Sequence, residues 1–143
     1  MPENQINDPD FFRGGKAYFT VSRVDGPHYT FKISVPKKKK NPMQVGPYFV
    51  SFLTGPDNYA NYTYLGMYDP ANHTVRLTDK SKMSKDSVPV KTVRWAVAQV
   101  AQGADLPEGY QIQHEGKCCR CGRKLTTPES ITAGIGPDCA GRM

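Results

Sequence analysis

Between residues 28 and 35 apolar and polar side chains alternate one by one. Tyr29, Phe31, Ile33 and Val35 share one face, while Thr30, Lys32 and Ser34 share the other. A period of two marks a strand with one buried face. The run "AYFTVSRV" at 17–24 precedes it across "DGP", a turn signal at hairpin spacing. "YFVSFLT" at 48–54 is apolar on both faces, which predicts a central strand. "YTYLGMYD" at 62–69 and "HTVRLT" at 73–78 follow, separated by the tight-turn sequence "PAN".

The period then lengthens. In "SVPVKTVRWAVAQVAQG", 87–103, Val90, Val93, Val97, Val100 and Ala101 recur at helical spacing. Ser87 or Val88 is the expected N-cap, Pro89 falls in the first turn and Gly103 stands where a helix stops. The valine stripe, with Trp95 or Ala96, is expected to cross the sheet. The predicted fold class is α+β: an antiparallel meander of about five strands with one packed helix, followed by a small treble-clef-like zinc module. The predicted division is a flexible N-terminal arm over 1–15, with Phe11 and Phe12 pinning its end, sheet plus helix over 16–105, and the zinc-binding module over 106–143. Residues 106–113, "LPEGYQIQ", read as an extended connector into that module.

Composition narrows the class. At 143 residues with 38% hydrophobic residues the chain can bury a real core. No apolar run approaches the roughly 18 residues that a membrane span needs, and "MPENQINDPD" is acidic and polar, unlike a secretory signal. The expectation is a cytoplasmic protein, where clustered cysteines bind metal or react more often than they form lasting disulfides.

The chain has four cysteines, and three of them fall in "HEGKCCRCGRKL", 114–125. Cys118 and Cys121 form C-x-x-C with Gly122 behind, a spacing that curls the backbone around one ion. Cys139, in "GIGPDCAGRM", supplies a third thiolate near the start of a short terminal helix. A knuckle, then a hairpin ("RKLTTPESITAG"), then a ligand at a helix start is the plan of a treble-clef Zn2+ site. A closed structural site takes four ligands. His114 is the favoured fourth, giving H-x3-C-x2-C-x17-C. Cys119 is disfavoured because adjacent side chains diverge along an extended chain. The alternative is a reduced, metal-free hairpin with buried thiols, which so short a tail has little apolar material to hold. An open catalytic zinc is not expected, since Glu115 directly follows His114 and no proline precedes Cys118, unlike the deaminase signature. Nucleophile elbows, phosphate loops and paired-histidine motifs are also missing, so the chain is not expected to be an enzyme.

With Cys118, Cys121 and "CGRKLTTPESITAGIGPDCAGRM" in view, the chain resembles an uncharacterised group of small phage and prophage proteins, a domain of unknown function with a C-terminal C-x-x-C-G-R-x-L…S-I…G-I-G-P-x-C signature. The likeness extends upstream through "FVSFLTGPDNYANYTYLG" and "DSVPVKTVRWA". It implies a phage origin, a bacterial host cytoplasm and zinc at Cys118, Cys121 and Cys139. It implies no function.

Charge suggests the partner. The formal net charge is +6, which favours anions, nucleic acid above all. The cations gather in three islands: Lys37, Lys38, Lys39 and Lys40 after Lys32; Lys80, Lys82 and Lys85; and Arg120, Arg123 and Lys124 beside Lys117. Tyr62, Tyr64 and Tyr68 fall on one side of their strand, with Tyr48 available to join them, a candidate stacking platform for single-stranded bases. The dull counterparts are a solvated lysine loop and a cross-strand packing ladder. Nucleic-acid binding through basic loops and zinc module, DNA or RNA, is the leading expectation. The alternative is a non-catalytic protein that binds and inhibits or redirects a host enzyme or defence complex.

Overall fold

The computed structural model describes residues 4–6, 8–35, 48–55, 61–103, 106–119, 123–126 and 128–136. Six strands form one antiparallel sheet: β1 (Lys16–Arg23), β2 (His28–Ser34), β3 (Tyr48–Leu53), β4 (Tyr62–Asp69), β5 (Thr74–Arg76) and β6 (Tyr110–His114), in the order β5-β4-β3-β2-β1-β6. The first five run as a meander, and β6 returns after the helix to pair with β1, Phe19 opposite His114. The helix is α1 (Val88–Gln102), capped by Gly103 at φ 64 in the left-handed region. Ser87 is the N-cap, but its hydroxyl donates back to Ser84 O instead of accepting from the first turn. A six-residue helix, α2 (Pro128–Ala133), lies in the tail.

One face of the sheet builds the core. Phe19, Val21, Phe31, Ile33, Val50, Leu65, Val75 and Ile112 are buried there against Val90, Val93, Ala96, Val97 and Val100 of α1. Ala96, not Trp95, takes the place in the stripe, because Trp95 lies off the buried arc and is only partly covered.

Of the arm expected over 1–15, the described residues are packed, and Phe11 and Phe12 pin its end as expected. Pro9–Arg13 form a 3-10 helix whose Asp8 cap accepts from Asp10 N–H at 2.9 Å. Phe12 is fully buried, wedged between Phe19 (5.1 Å between ring centroids) and Tyr68 (5.9 Å). Ile6 and Phe11 are buried as well. Two adjacent phenylalanines and an isoleucine bury enough apolar surface to hold a segment that its Asn and Asp content alone would leave in solvent.

The boundary expected at 105/106 is crossed too. Residues 110–114 are a strand of the sheet, and the chain around them is tied to the N-terminal segment. Asn4 Nδ2 donates to His114 O at 2.8 Å, His114 N–H donates to Asn4 O at 3.0 Å, and Ile6 N–H donates to Ile112 O at 2.9 Å. No helix among the described residues is long and apolar enough to cross a membrane.

Candidate functional site

The tail begins as β6 ends. Residues 116–118 pair antiparallel with 123–125, as the two arms of a short hairpin: Leu125 N–H donates to Gly116 O (2.8 Å), Cys118 N–H donates to Arg123 O (2.8 Å), and Lys117 bridges Lys124. Residues 128–133, expected within a hairpin, are the helix α2 instead. Proline suits a first helical position because its missing N–H would find no partner there. The helix ends at Gly134, φ 74, where a Cβ would stand 2.7 Å from the Phe11 ring. The tail is thus pressed onto the N-terminal segment at a point with no room for a side chain.

The adjacent thiols point into different cores. Cys118 is buried with Leu125 under Ile131 and Ile135. Cys119 belongs to the main core, and a Cβ on Gly14 would come within 2.6 Å of its Sγ. Its backbone ties three segments, since Lys16 N–H donates to Cys119 O (2.7 Å) and Cys119 N–H donates to Gly134 O (3.0 Å). The divergence is what an extended chain imposes on neighbours.

His114 is 2% exposed, stacked on Phe11 with centroids 5.8 Å apart. Its Nδ1 accepts from Gly116 N–H at 2.9 Å, which leaves Nε2 as the donor to Ile131 O at the end of α2. Burial lowers its pKa, and the Ile131 bond only partly opposes that, so the neutral ring is favoured. Both nitrogens are therefore occupied, and this geometry presents no lone pair of His114 to an ion. Burial also raises the Glu115 pKa, with Lys117 opposing. Among the described residues no group of three or more His, Cys, Asp or Glu is placed to hold a metal. Cys121, Cys139 and Arg120 lie outside the described residues, so of the expected ligands only His114 and Cys118 are described. Among the described residues no zinc module is shown.

The face of the sheet away from α1 carries a different chemistry. Strand register lines up Lys16, Ser34, Phe49, Met67 and Arg76 in one row, and Tyr18, Lys32, Ser51 and Tyr64 in the next. Thr20 and Thr30 share a hydroxyl hydrogen bond of 2.8 Å in a third row. Tyr18 and Tyr62 meet edge to face at 6.0 Å although two strands separate them, so the sheet curls toward this side, since flat strands would hold β1 and β4 roughly 14 Å apart. Lys32 Nζ stands 4.7 Å above the Tyr62 ring, and Lys117 Nζ 5.8 Å above the Tyr18 ring, both within cation–π range. The only acid in the six strands is Asp69, at the end of β4, turned to cap the 69–72 turn.

The tyrosine row expected on one side of β4 is split. Val50 pairs with Gly66, but Ser51 pairs with Tyr64, leaving Leu65 as an extra residue in a β-bulge. One inserted residue reverses the alternation. Tyr68 and its cross-strand neighbour Tyr48 are buried in the core, while Tyr62 and Tyr64 stay on the other face. Tyr68 shares a 2.9 Å hydrogen bond with His73, and burial raises its pKa.

Of the three basic islands, Lys80, Lys82 and Lys85 are exposed on the loop after β5, which runs beside β4: Lys82 N–H donates to Tyr64 O at 3.5 Å. Arg123 and Lys124 are exposed on the tail hairpin, and Lys117 of that hairpin reaches Tyr18. Lys37, Lys38, Lys39 and Lys40 lie outside the described residues, in the stretch joining β2 to β3. Lys32 and Lys117 are the cations that meet the aromatic face directly. Lys32 could have been found by pairing the polar positions of β1 with those of β2, which sets it opposite Tyr18; Lys117 comes from the tail, and no strand pattern announces its reach to Tyr18.

Residues 111–143 match a family described as a family of unknown function, DUF6011. The match begins inside β6 and takes in the hairpin and α2, leaving the meander and α1 outside it. No curated protein and no solved structure matches the chain.

Proposed function

We propose that the protein binds single-stranded nucleic acid, DNA or RNA, on the sheet face opposite α1, without catalysing a reaction. The observation that carries this reading is the interleaving of Tyr18, Tyr62, Tyr64 and Phe49 with Lys16, Lys32 and Lys117 on one surface. Aromatic rings on a sheet offer stacking platforms that accept any base, and lysines between them neutralise the backbone. Lys80, Lys82 and Lys85 on one flank and Arg123 and Lys124 on the other extend the positive field beyond the rings. The lysine-rich stretch between β2 and β3 adds charge to the same chain segment that carries Lys32 and Phe49.

Zinc is part of this reading. Cys118, Cys121 and Cys139 would supply three thiolates, ligands that suit the ion, and bound there it would close the tail. The tail matters to the face because it holds Lys117 over Tyr18. His114 joins the ligand set only by giving up one of its two hydrogen bonds. The phage setting implied by the tail signature is compatible with such a role in a host cytoplasm.

The test is titration of fluorescent oligothymidine and oligouridine at two salt concentrations. Affinity is expected to fall steeply with salt, and each phosphate-gripping lysine replaced should lower the log–log slope by about 0.7. Absence of binding at low salt, or binding unaffected by replacing Tyr18 and Tyr62 with leucine, would overturn the proposal.

A further inference from the structure

At the far end of α1 from Gly103, the sheet and helix part to leave a cavity of about 620 Å³. It lies on the helix side of β1 and β2, away from the tyrosine–lysine face, and nothing in the nucleic-acid reading uses it. Trp95 and Tyr110, with ring centroids 5.2 Å apart, form one wall with Tyr29, and Val88 forms part of the rim. Among the described residues the two exposed large hydrophobics are Val24 at 74% and Val88 at 55%, and both are here. Val88 lines the cavity, and Val24 follows its lining residue Arg23 and is hydrogen-bonded through N–H to Gly109 O at 2.8 Å, next to Tyr110. Exposed apolar surface gathered at one place beside half-covered Trp and Tyr is the composition of an interface centre.

The ionisable lining is of one sign. Arg23, which faces Tyr110 in the β1–β6 register, and Lys91 are cations, and no acid lines the cavity among the described residues. From this charge and the apolar wall we infer that the cavity is a docking site for an acidic segment of a partner protein, a bulky apolar side chain seating against Trp95 and Tyr110 while flanking carboxylates meet Arg23 and Lys91. The groove is open enough for a chain to lie across it, and the planar guanidinium of Arg23 can meet a carboxylate with two parallel hydrogen bonds. Asp25 in the neighbouring turn also attracts Arg23, so a bound carboxylate competes with it, and Asp25→Asn should tighten binding.

Trp95 is the chain's single tryptophan, so its emission reports the cavity. The experiment selects short random peptides on the full chain at low salt, then titrates the enriched peptides, synthesised without tryptophan, against Trp95 fluorescence. Enriched sequences are expected to pair Leu or Phe with Asp or Glu and to shift Trp95 emission. They should bind roughly tenfold more weakly to Lys91→Glu or Val88→Glu, a loss of about 1.4 kcal/mol. Both positions are exposed, so neither variant threatens folding. Failure to enrich acidic-apolar sequences, or enriched peptides that leave Trp95 emission and Lys91→Glu affinity unchanged, would overturn the inference. So would a Trp95 shift produced by protein concentration alone, which would mean a second copy of the chain, or one produced by oligonucleotide.

Discussion

On the side toward α1, β1 and β2 present Ala17, Phe19, Val21, Phe31 and Ile33, all but closed to solvent. One residue along, the same strands present Lys16, Tyr18, Thr20, Thr30 and Lys32 to the other side. The backbone treats the two sides alike, so the difference is one of side chains alone. The helix-covered side is filled with groups that only packing can use. The other carries hydroxyls, rings and ammonium groups that keep their value in water, and Lys32 over Tyr62 and Lys117 over Tyr18 hold it in order.

The comparison can be broken most forcefully from the core. Phe12→Ala, which empties the space between Phe19 and Tyr68, is expected to destabilise by about 3–5 kcal/mol in urea unfolding. Gly134→Ala adds a methyl against Phe11 at a left-handed position and is expected to cost roughly 2–4 kcal/mol. If the tail were an independent appendage, that variant would leave the unfolding of the sheet untouched; the packing predicts one shared, lowered transition. On the open side the balance reverses. Tyr18→Leu with Tyr62→Leu should shift stability by about 1 kcal/mol or less, yet weaken oligonucleotide binding by about 1–3 kcal/mol per ring in fluorescence titration. A large loss of stability there would mark the rings as packing rather than platform.

A milder probe uses pH. His114 is buried neutral with a lowered pKa, so below the ordinary imidazole value of about 6.5 the unfolded chain takes up a proton that the folded chain resists. Stability should therefore decline as pH falls from there, and His114→Gln should flatten that part of the profile. Protonation of Nδ1 would also break the Gly116 bond. A profile unchanged by the substitution would show that the ring does not hold the tail in its neutral form.

Much of this architecture was legible in the residue pattern. Alternation placed β1 to β4 within a residue or so of their observed ends, and the valine spacing placed α1. Three features were hidden, each for a physical reason. The β-bulge at Leu65 leaves no mark in composition, yet it moved Tyr68 and Tyr48 from the proposed platform into the core. Residues 110–114 alternate as a strand, but the third inward position is His114, whose burial depends on partners at Gly116 and Ile131 that periodicity does not reveal. At the N-terminus Phe11 and Phe12 are visible as pins, but two consecutive phenylalanines have a spacing of neither strand nor helix type, so the 3-10 helix that buries them was not. In the tail, the divergence of Cys118 and Cys119 followed from chain geometry, whereas their two different surroundings depended on where Gly14 and Ile131 arrive.

The pairing of Asn4 with His114 spans 110 residues of chain. On a ribosome that emits the chain from its N-terminus, β1 to β5 can find one another as neighbours while α1 is still being made. Residues 4–15 have to wait, because the surface they settle on includes β6 and Cys119. Until then Phe11 lacks the cover that His114 and Gly134 give it, so a segment made before the sheet finishes packing after it.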